Sequence, residues 1–311
     1  MRGLVRLVGD GDDWPDIAVI GEAEQWNLHG QRGKFMAINA LNAASKRCYN
    51  IEVGTLPREW GPIGPALLWD QNKASVHAFY SGREEVFYAR NRNIGVVSPR
   101  EHPERVMNIL GWHGDIQSYL LQLIDAQGMR RLSNPSRPNM ILADWNCTLD
   151  GPNFALPPDF ADAYTHIRQY MGMIEYDPRN PHGPHRPNTL ALDYLCGVWE
   201  NGHRVGGLGF VSAAERAGIY TPTTIGYPVP RQIDVGLLNA SAALMLLPDT
   251  VRIHQPIDPA NPDSDHCRLS FTIDTDRYTV FSDVVWHDTV RRFKRRFTEH
   301  ERFDDGLPMA S

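Results

Sequence analysis

Short apolar runs recur along the chain, and several end abruptly on a carboxylate or a carboxamide. Pro15-Asp-Ile-Ala-Val-Ile-Gly-Glu22 reads as a short buried strand entered from a proline and ending at an acid. Phe35, Ile38, Leu41 and Ala44 then repeat at helical spacing and predict a helix over about 32–46. Ser75–Tyr80, Val86–Tyr88 and Ile94–Ser98 have strand character and predict an antiparallel meander, and Val106–Leu110 predicts one more strand. Leu120, Leu121, Ile124 and Ala126 mark an amphipathic helix over Ile116–Gln127. Met140–Ala143 predicts a buried strand that stops at Asp144-Trp145-Asn146. Ile233–Leu238 and Arg268–Ile273 predict two further strands, with a polar loop over Asp258–Asp265 between them. Met1–Val8 reads as a helix, and so does a terminal segment over about 286–303 that turns Val290, Phe293 and Phe297 inward. Residues 176–188, rich in proline, asparagine and histidine, predict an irregular loop.

Strands and helices mix without strict βαβ alternation, and no repeat or linker divides the 311 residues. The pattern fits one α/β domain over 1–311, built from two packed sheets with outer helices. A composition of 42% hydrophobic and 22% charged residues excludes disordered and collagen-like classes. Runs such as Ile17–Ile20 and Ala242–Leu247 are far shorter than the roughly 20 residues that span a bilayer. No signal-peptide pattern is visible in Met1–Asp10. A net charge of −6 means that any contact with nucleic acid must be local or helped by a bound cation. Cys48, Cys147, Cys196 and Cys267 have neither zinc-finger spacing nor the density of a secreted disulfide framework, so a reducing, cytoplasmic setting is expected.

The polar residues at the strand ends carry the chemistry. Glu22, Asp144 with Asn146, Asp234, and Asp265 with His266 all flank or enter apolar runs, where side chains from distant sequence converge on one rim of a sheet. Glu22 is a hard oxygen donor suited to Mg²⁺. Asp144 and Asn146, pointing the same way if the link is extended, would orient or deprotonate a water and bind a phosphate oxygen. His266 would protonate a leaving oxygen or stabilise a crowded phosphate, with Asp234 fixing its tautomer. Each of these residues has an ordinary reading as a cap, turn or solvated acid. A carboxylate inside an apolar run, as at Asp234, is the least ordinary of them. Together, and in this order, they describe metal-assisted attack of water on a phosphate ester.

At these residues the chain resembles the endonuclease/exonuclease/phosphatase superfamily, which includes deoxyribonuclease I-like and apurinic endonuclease-like proteins. Pro15–Glu22 is similar to the segment whose final Glu binds the metal, and Ala143-Asp-Trp-Asn146 is similar to a Gly-Asp-Phe-Asn segment. Arg231-Gln-Ile-Asp234 resembles an Arg-Ile-Asp segment with one residue inserted. Ser264-Asp-His-Cys267 resembles a Ser-Asp-His segment, with Arg268 where proline is common. The matched segments run from residue 15 to about 273. The resemblance implies a four-layer α/β sandwich, two mixed sheets face to face with helices outside, and a bound Mg²⁺ or Mn²⁺. It assigns Glu22 to the metal, Asp144 and Asn146 to water and phosphate, Asp234 to orienting His266, and Asp265 to the metal or the histidine. Asp193, in Leu-Asp-Tyr, is the alternative orienting acid; Asp234 is preferred because a strand and loop lead from it to His266. His113 matches a further family histidine, against its reading as a structural or exposed one. The family's first strand, which bears an Asn at the metal, is missing ahead of Met1–Val8. The start then lies upstream, or another segment or chain fills the gap, or the metal site is weakened.

The expected substrate is DNA or RNA. Arg90, Arg92, Arg186 and the basic residues Arg291, Arg292, Lys294, Arg295 and Arg296 are candidates for phosphate contact. Trp145 is a candidate for base stacking, or else a core residue, and His182 and His185 are candidate extra ligands in a loop. The alternatives are a phosphomonoesterase or lipid phosphodiesterase on the same scaffold, and a non-catalytic binding module with a degraded metal site. No membrane contact is expected, and the oligomeric state is open.

Overall fold

The computed structural model describes residues 2–9, 11, 13–23, 26–54, 64–81, 93–116, 118–154, 187–225, 230–256 and 262–281. The strand expected at Val86–Tyr88, the loop up to residue 186 and the terminal helix over about 286–303 lie outside these residues. In chain order the first half contains α1 (Arg2–Val8), β1 (Ile17–Ile20), α2 (Leu28–Ser45), β2 (Tyr49–Val53), β3 (Ala66–Asp70), β4 (Ala74–Tyr80), β5 (Ile94–Pro99) and β6 (Met107–His113). Then follow α3 (Tyr119–Gly128), β7 (Asn139–Asp144), α4 (Leu190–Cys196), β8 (Val198–Glu200), β9 (His203–Val205) and β10 (Val211–Ser212). The last elements are α5 (Ala213–Arg216), β11 (Asp234–Leu238), α6 (Ala240–Met245), β12 (Leu246–His254) and β13 (Arg268–Ile273).

Period-two patterning builds the central sheet. Its six strands lie in the order β10-β11-β7-β6-β5-β4, antiparallel except for the parallel pair β6 and β7. Met140 and Leu142 of β7 face one core, whereas Ile141 and Ala143 face the other, and β6 alternates likewise through Ile109 and Leu110. On the outer side, Leu110, Trp112, Ile141, Val235 and Leu237 pack with Ala126 of α3 and Leu192 and Leu195 of α4. On the inner side, Met107, Ile109, Met140 and Leu238 meet Ile17, Val19, Leu67, Leu269 and Phe271. Gly236 lets the layers close up there, since a Cβ at that position would stand 2.8 Å from the Phe271 ring.

The second layer is made of two separate antiparallel pieces, β1-β3-β2 and β12-β13. The far face of the first piece packs Ile51, Ala66 and Leu68 against Ala37 and Leu41 of α2 and Val8 of α1. Helices, sheet, split sheet and helices thus form the expected four layers.

Two helices differ from their sequence pattern. On α2 the buried positions are Lys34, Ala37 and Leu41, while Phe35 is 53% exposed. The predicted helix at Ile116 begins at Tyr119, because Ser118 caps it by accepting a hydrogen bond from the Leu121 N–H. Leu120 and Ile124 on α3 are exposed, and the buried positions are Gln122, Asp125 and Ala126. Fully buried Leu237 anchors the strand that carries Asp234. Leu237→Ala should cost about 2–5 kcal/mol of unfolding free energy, measured by urea denaturation, with the urea dependence of that energy unchanged.

Candidate functional site

Strand register brings the polar residues together. Neighbouring strands β6 and β7 set His113 opposite Asp144, and β7 and β11 set Asp144 opposite Asp234. Three adjacent strands therefore deliver an imidazole and two carboxylates to one rim. The histidine after Ser264-Asp265 reaches the same rim from the other layer: His266 Nδ1 lies 2.8 Å from Asp234 Oδ2 and Nε2 lies 3.8 Å from Asp144 Oδ2. Glu22, just beyond β1, places Oε1 3.1 Å from His113 Nε2, which is itself 3.6 Å from Asp144 Oδ2. Among the described residues, oxygen and nitrogen atoms of Asp144, Asp234 and His266 lie within 4.8 Å of one another and could hold a metal ion.

A short segment that the sequence reading passed over fixes His266 in place. Thr223 accepts hydrogen bonds on Oγ1 from the Ile233 and Asp234 N–H groups, and its carbonyl accepts from Cys267 N–H. Thr224 bridges to His266, and Ile225 N–H donates to the Asp265 carbonyl. Thr221-Pro-Thr-Thr-Ile225 carries no motif that would have flagged it, because its work is done mainly through backbone groups. Asn146 is buried in a left-handed turn, φ +52°, rather than on an extended link. Its N–H donates to Asp144 Oδ1 and its side-chain amide to the Gly114 carbonyl. Buried Gln122 supports this turn by donating to the Asp115 carbonyl, and Asn188 donates to the Gln122 oxygen.

The electrostatics follow from burial and from these pairs. Burial, followed by the charge of Asp234, pushes the Asp144 carboxyl upward. His266 loses from burial, but its hydrogen bond to Asp234 and the charges of Asp234, Asp144 and Asp265 outweigh that loss and push its pKa up to about 9. His113, with its side chain only 6% exposed, is likewise raised against burial by its bond to Glu22, and the same bond lowers Glu22. Glu22 keeps its side chain 61% exposed, and Asp265 is exposed beside the cluster. Both line the same groove as the buried residues.

No protein-family model matches the chain, and no curated protein matches it. Among solved structures, an AP endonuclease from Archaeoglobus fulgidus superposes with a TM-score of 0.51 at 12% identity, over 84% of this chain and 89% of that one. This chain has the endonuclease/exonuclease/phosphatase fold. Two further structures superpose less closely. A 3′-5′ exonuclease from Neisseria meningitidis gives a TM-score of 0.46 at 13% identity, over 85% of this chain and 91% of that one. A mannosyl-6-phosphatase from Bacteroides thetaiotaomicron gives 0.44 at 11% identity, over 83% and 85%.

Within this endonuclease/exonuclease/phosphatase fold, Glu22, His113, Asp144, Asp234 and His266 meet at one rim, with Asn146 bonded to Asp144 behind them. Trp145 is fully buried and belongs to the core beneath the rim, so it offers no stacking surface. Cys147 is buried, and burial pushes its thiol up, so no ready thiolate stands at the site. Arg90, Arg92, His182, His185, Arg186 and the terminal basic residues lie outside the described residues. Asp193 accepts from Thr189 Oγ1 on α4, while Asp234 holds the bond to His266. Burial pushes the Asp193 carboxyl up to about 7, with the Asp150 charge adding to it and a bond from Thr189 opposing it. A carboxyl raised from its ordinary 3.8 favours the folded state while protonated, and loses that advantage as pH rises through about 7. The stability advantage of Asp193→Asn over the parent should therefore widen from pH 4 to about 7 and then level off, read by thermal unfolding across that range.

Proposed function

We propose that the chain is a phosphoester hydrolase using Mg²⁺ or Mn²⁺, and that it acts as a phosphodiesterase on DNA or RNA. The carrying observation is the in-register rim of His113, Asp144 and Asp234, met by His266 through its Asp234 bond. The donor set suits a hard divalent cation. Four carboxylates gather at this end of the groove against two imidazoles, and burial, then the Asp234 charge, disfavours the Asp144 anion. His266 Nδ1 and Asp234 Oδ2 are committed to each other, so Glu22 and Asp265 would hold the cation, with Asp144 left for the water. Bound there, the cation supplies charge stabilisation at the phosphate and lowers the pKa of a water.

The chain's own groups divide the remaining work. Asp234 holds His266 with Nδ1 as donor, which leaves Nε2 facing the cleft to bind or protonate a phosphate or leaving oxygen. Asp144, its basicity raised by burial, accepts a proton from water. Asn146 spends one amide hydrogen on the Gly114 carbonyl, and the other remains for a phosphate oxygen. His113 steadies Glu22 and Asp144 from the neighbouring strand. A polymeric substrate is supported by Arg6 and Arg268 in the hollow beside His266, guanidinium groups now paired with Asp263 and Asp13 that a phosphate backbone would compete for. The fold likeness to a protein described as an AP endonuclease supports the same reading.

Plasmid DNA, single-stranded DNA and RNA should be assayed with Mg²⁺ or Mn²⁺, against EDTA and against His266→Ala. Cleavage should need the cation, and His266→Ala and Asp144→Ala should each lower turnover by roughly 10²–10⁴-fold with the fold intact. Full activity in both variants would remove these residues from the chemistry. Hydrolysis of small phosphomonoesters with no polymer cleaved would overturn the substrate class.

A further inference from the structure

β6 and β7 are the parallel pair of the central sheet, so the chain leaves both strands at the same end, and both exits carry site residues. His113 closes β6 and leads into Gly114 and Asp115, and Asp144 closes β7 and leads into Trp145 and Asn146. Pairing continues one step past the strands, with Gly114 N–H donating to the Asp144 carbonyl at 2.7 Å. The exits approach so closely there that a Cβ on Gly114 would stand 2.4 Å from the Trp145 carbonyl oxygen. Asn146 then enters the left-handed region at φ +52°, a conformation that persists in a residue with a side chain only where its surroundings hold it.

One side chain bridges the two exits. Gln122, in the first turn of α3 and fully buried, donates from Nε2 to the Asp115 carbonyl at 2.5 Å and to the Asn146 carbonyl at 3.4 Å. Its Oε1 accepts from Nδ2 of Asn188, which is fully buried too. Carbonyls only accept and an amide nitrogen only donates, so a single orientation of the Gln122 carboxamide satisfies all three partners. Asn188 is tied in turn, its Oδ1 accepting from Leu190 N–H at the start of α4 and its carbonyl from Thr148 N–H. A carboxamide at a buried helix position is unfavourable without such partners. Here they lead straight to the rim, because the Asn146 N–H donates to Asp144 Oδ1.

We propose that Gln122 is a positioning residue for the reaction: its carboxamide staples the exits of β6 and β7, and so sets Asn146 and Asp144 at the rim relative to His113. What Asn146 and Asp144 do there rests on the hydrolase reading, whereas how they are held rests on these hydrogen bonds. Being fully buried, Gln122 meets neither substrate nor cation, and it acts through the Asn146 carbonyl on one side and the Asp115 carbonyl on the other. An apolar side chain of the same length would fill the space but leave both carbonyls and the Asn188 amide unmet, and the turn would be free to leave its left-handed conformation.

Gln122→Met tests this in two ways. Amide exchange in the metal-free protein needs no turnover. The N–H groups of Asn146 and Gly114, both bonded to Asp144, should quicken by roughly tenfold or more beyond any change at Ile141 and Leu237, which report opening of the whole sheet. In turnover with Mg²⁺ or Mn²⁺, kcat should fall by about 10–100-fold with KM within about threefold. In an Asn146→Ala background the same change should cost less than about threefold, because the residue it acts through is gone. Asn188→Asp keeps the oxygen that meets Leu190 and replaces the donor to Gln122 by an acceptor, so it should give the same local exchange pattern. Equal quickening at all four amides would make Gln122 a residue of general stability and overturn the proposal. So would unchanged exchange at Asn146, full kcat in Gln122→Met, or an undiminished loss on top of Asn146→Ala. A parent protein that cleaves no phosphoester would refute the hydrolase reading alone, and the exchange pattern would still decide the staple.

Discussion

The register of three strands is the constraint on which the rest of the site depends. Because side chains alternate along a strand, slipping β7 by one residue against β6 or β11 would send Asp144 into the core side and break its alignment with His113 and Asp234. The register is held from both sides by apolar packing, Leu110, Ile141 and Leu237 toward the helices and Ile109, Met140 and Leu238 toward the second layer. The site therefore inherits its precision from the best-packed part of the molecule. His266 joins it through a looser device, the Thr223–Thr224 segment that ties Asp234 and Cys267 to the same backbone.

Charge at this rim is arranged in opposition. Asp144 is buried, and desolvation there disfavours the anion. The same burial works against charge on His113 and His266, yet the pKa of each is raised by a carboxylate in hydrogen-bond contact, Glu22 for one and Asp234 for the other. A carboxyl raised from its ordinary range beside two raised imidazoles sets acid and base groups side by side, the arrangement that the proposed hydrolysis would use.

Much of this was legible in the sequence because strand ends announce themselves. Ile17–Ile20 and Met140–Ala143 stop at polar residues and Arg268–Ile273 starts from them, and the structure puts Glu22, Asp144 and His266 at one rim. The preference for Asp234 over Asp193 rests on the strand and loop that lead to His266, and the structure has Asp234 and His266 in hydrogen-bond contact. Other features were not legible. Helical spacing did not say which face of α2 or α3 is inward, since Phe35, Leu120 and Ile124 are exposed while Lys34 and Gln122 are buried for their hydrogen bonds. The left-handed turn at Asn146 and the Thr223 hub depend on partners distant in sequence, which no local pattern encodes. Among the described residues the second layer stands in two pieces, with β1 and β13 facing each other across a groove, a detail that no local pattern encodes.

The pairing of Asp234 with His266 joins the two layers into one site, and imidazole NMR of the metal-free protein measures it directly. The account predicts that His266 titrates near 9, with Nδ1 protonated, and that Asp234→Asn brings it back toward its ordinary 6.5. A parent His266 that titrates near 6.5, or one unmoved by Asp234→Asn, would contradict the site as described.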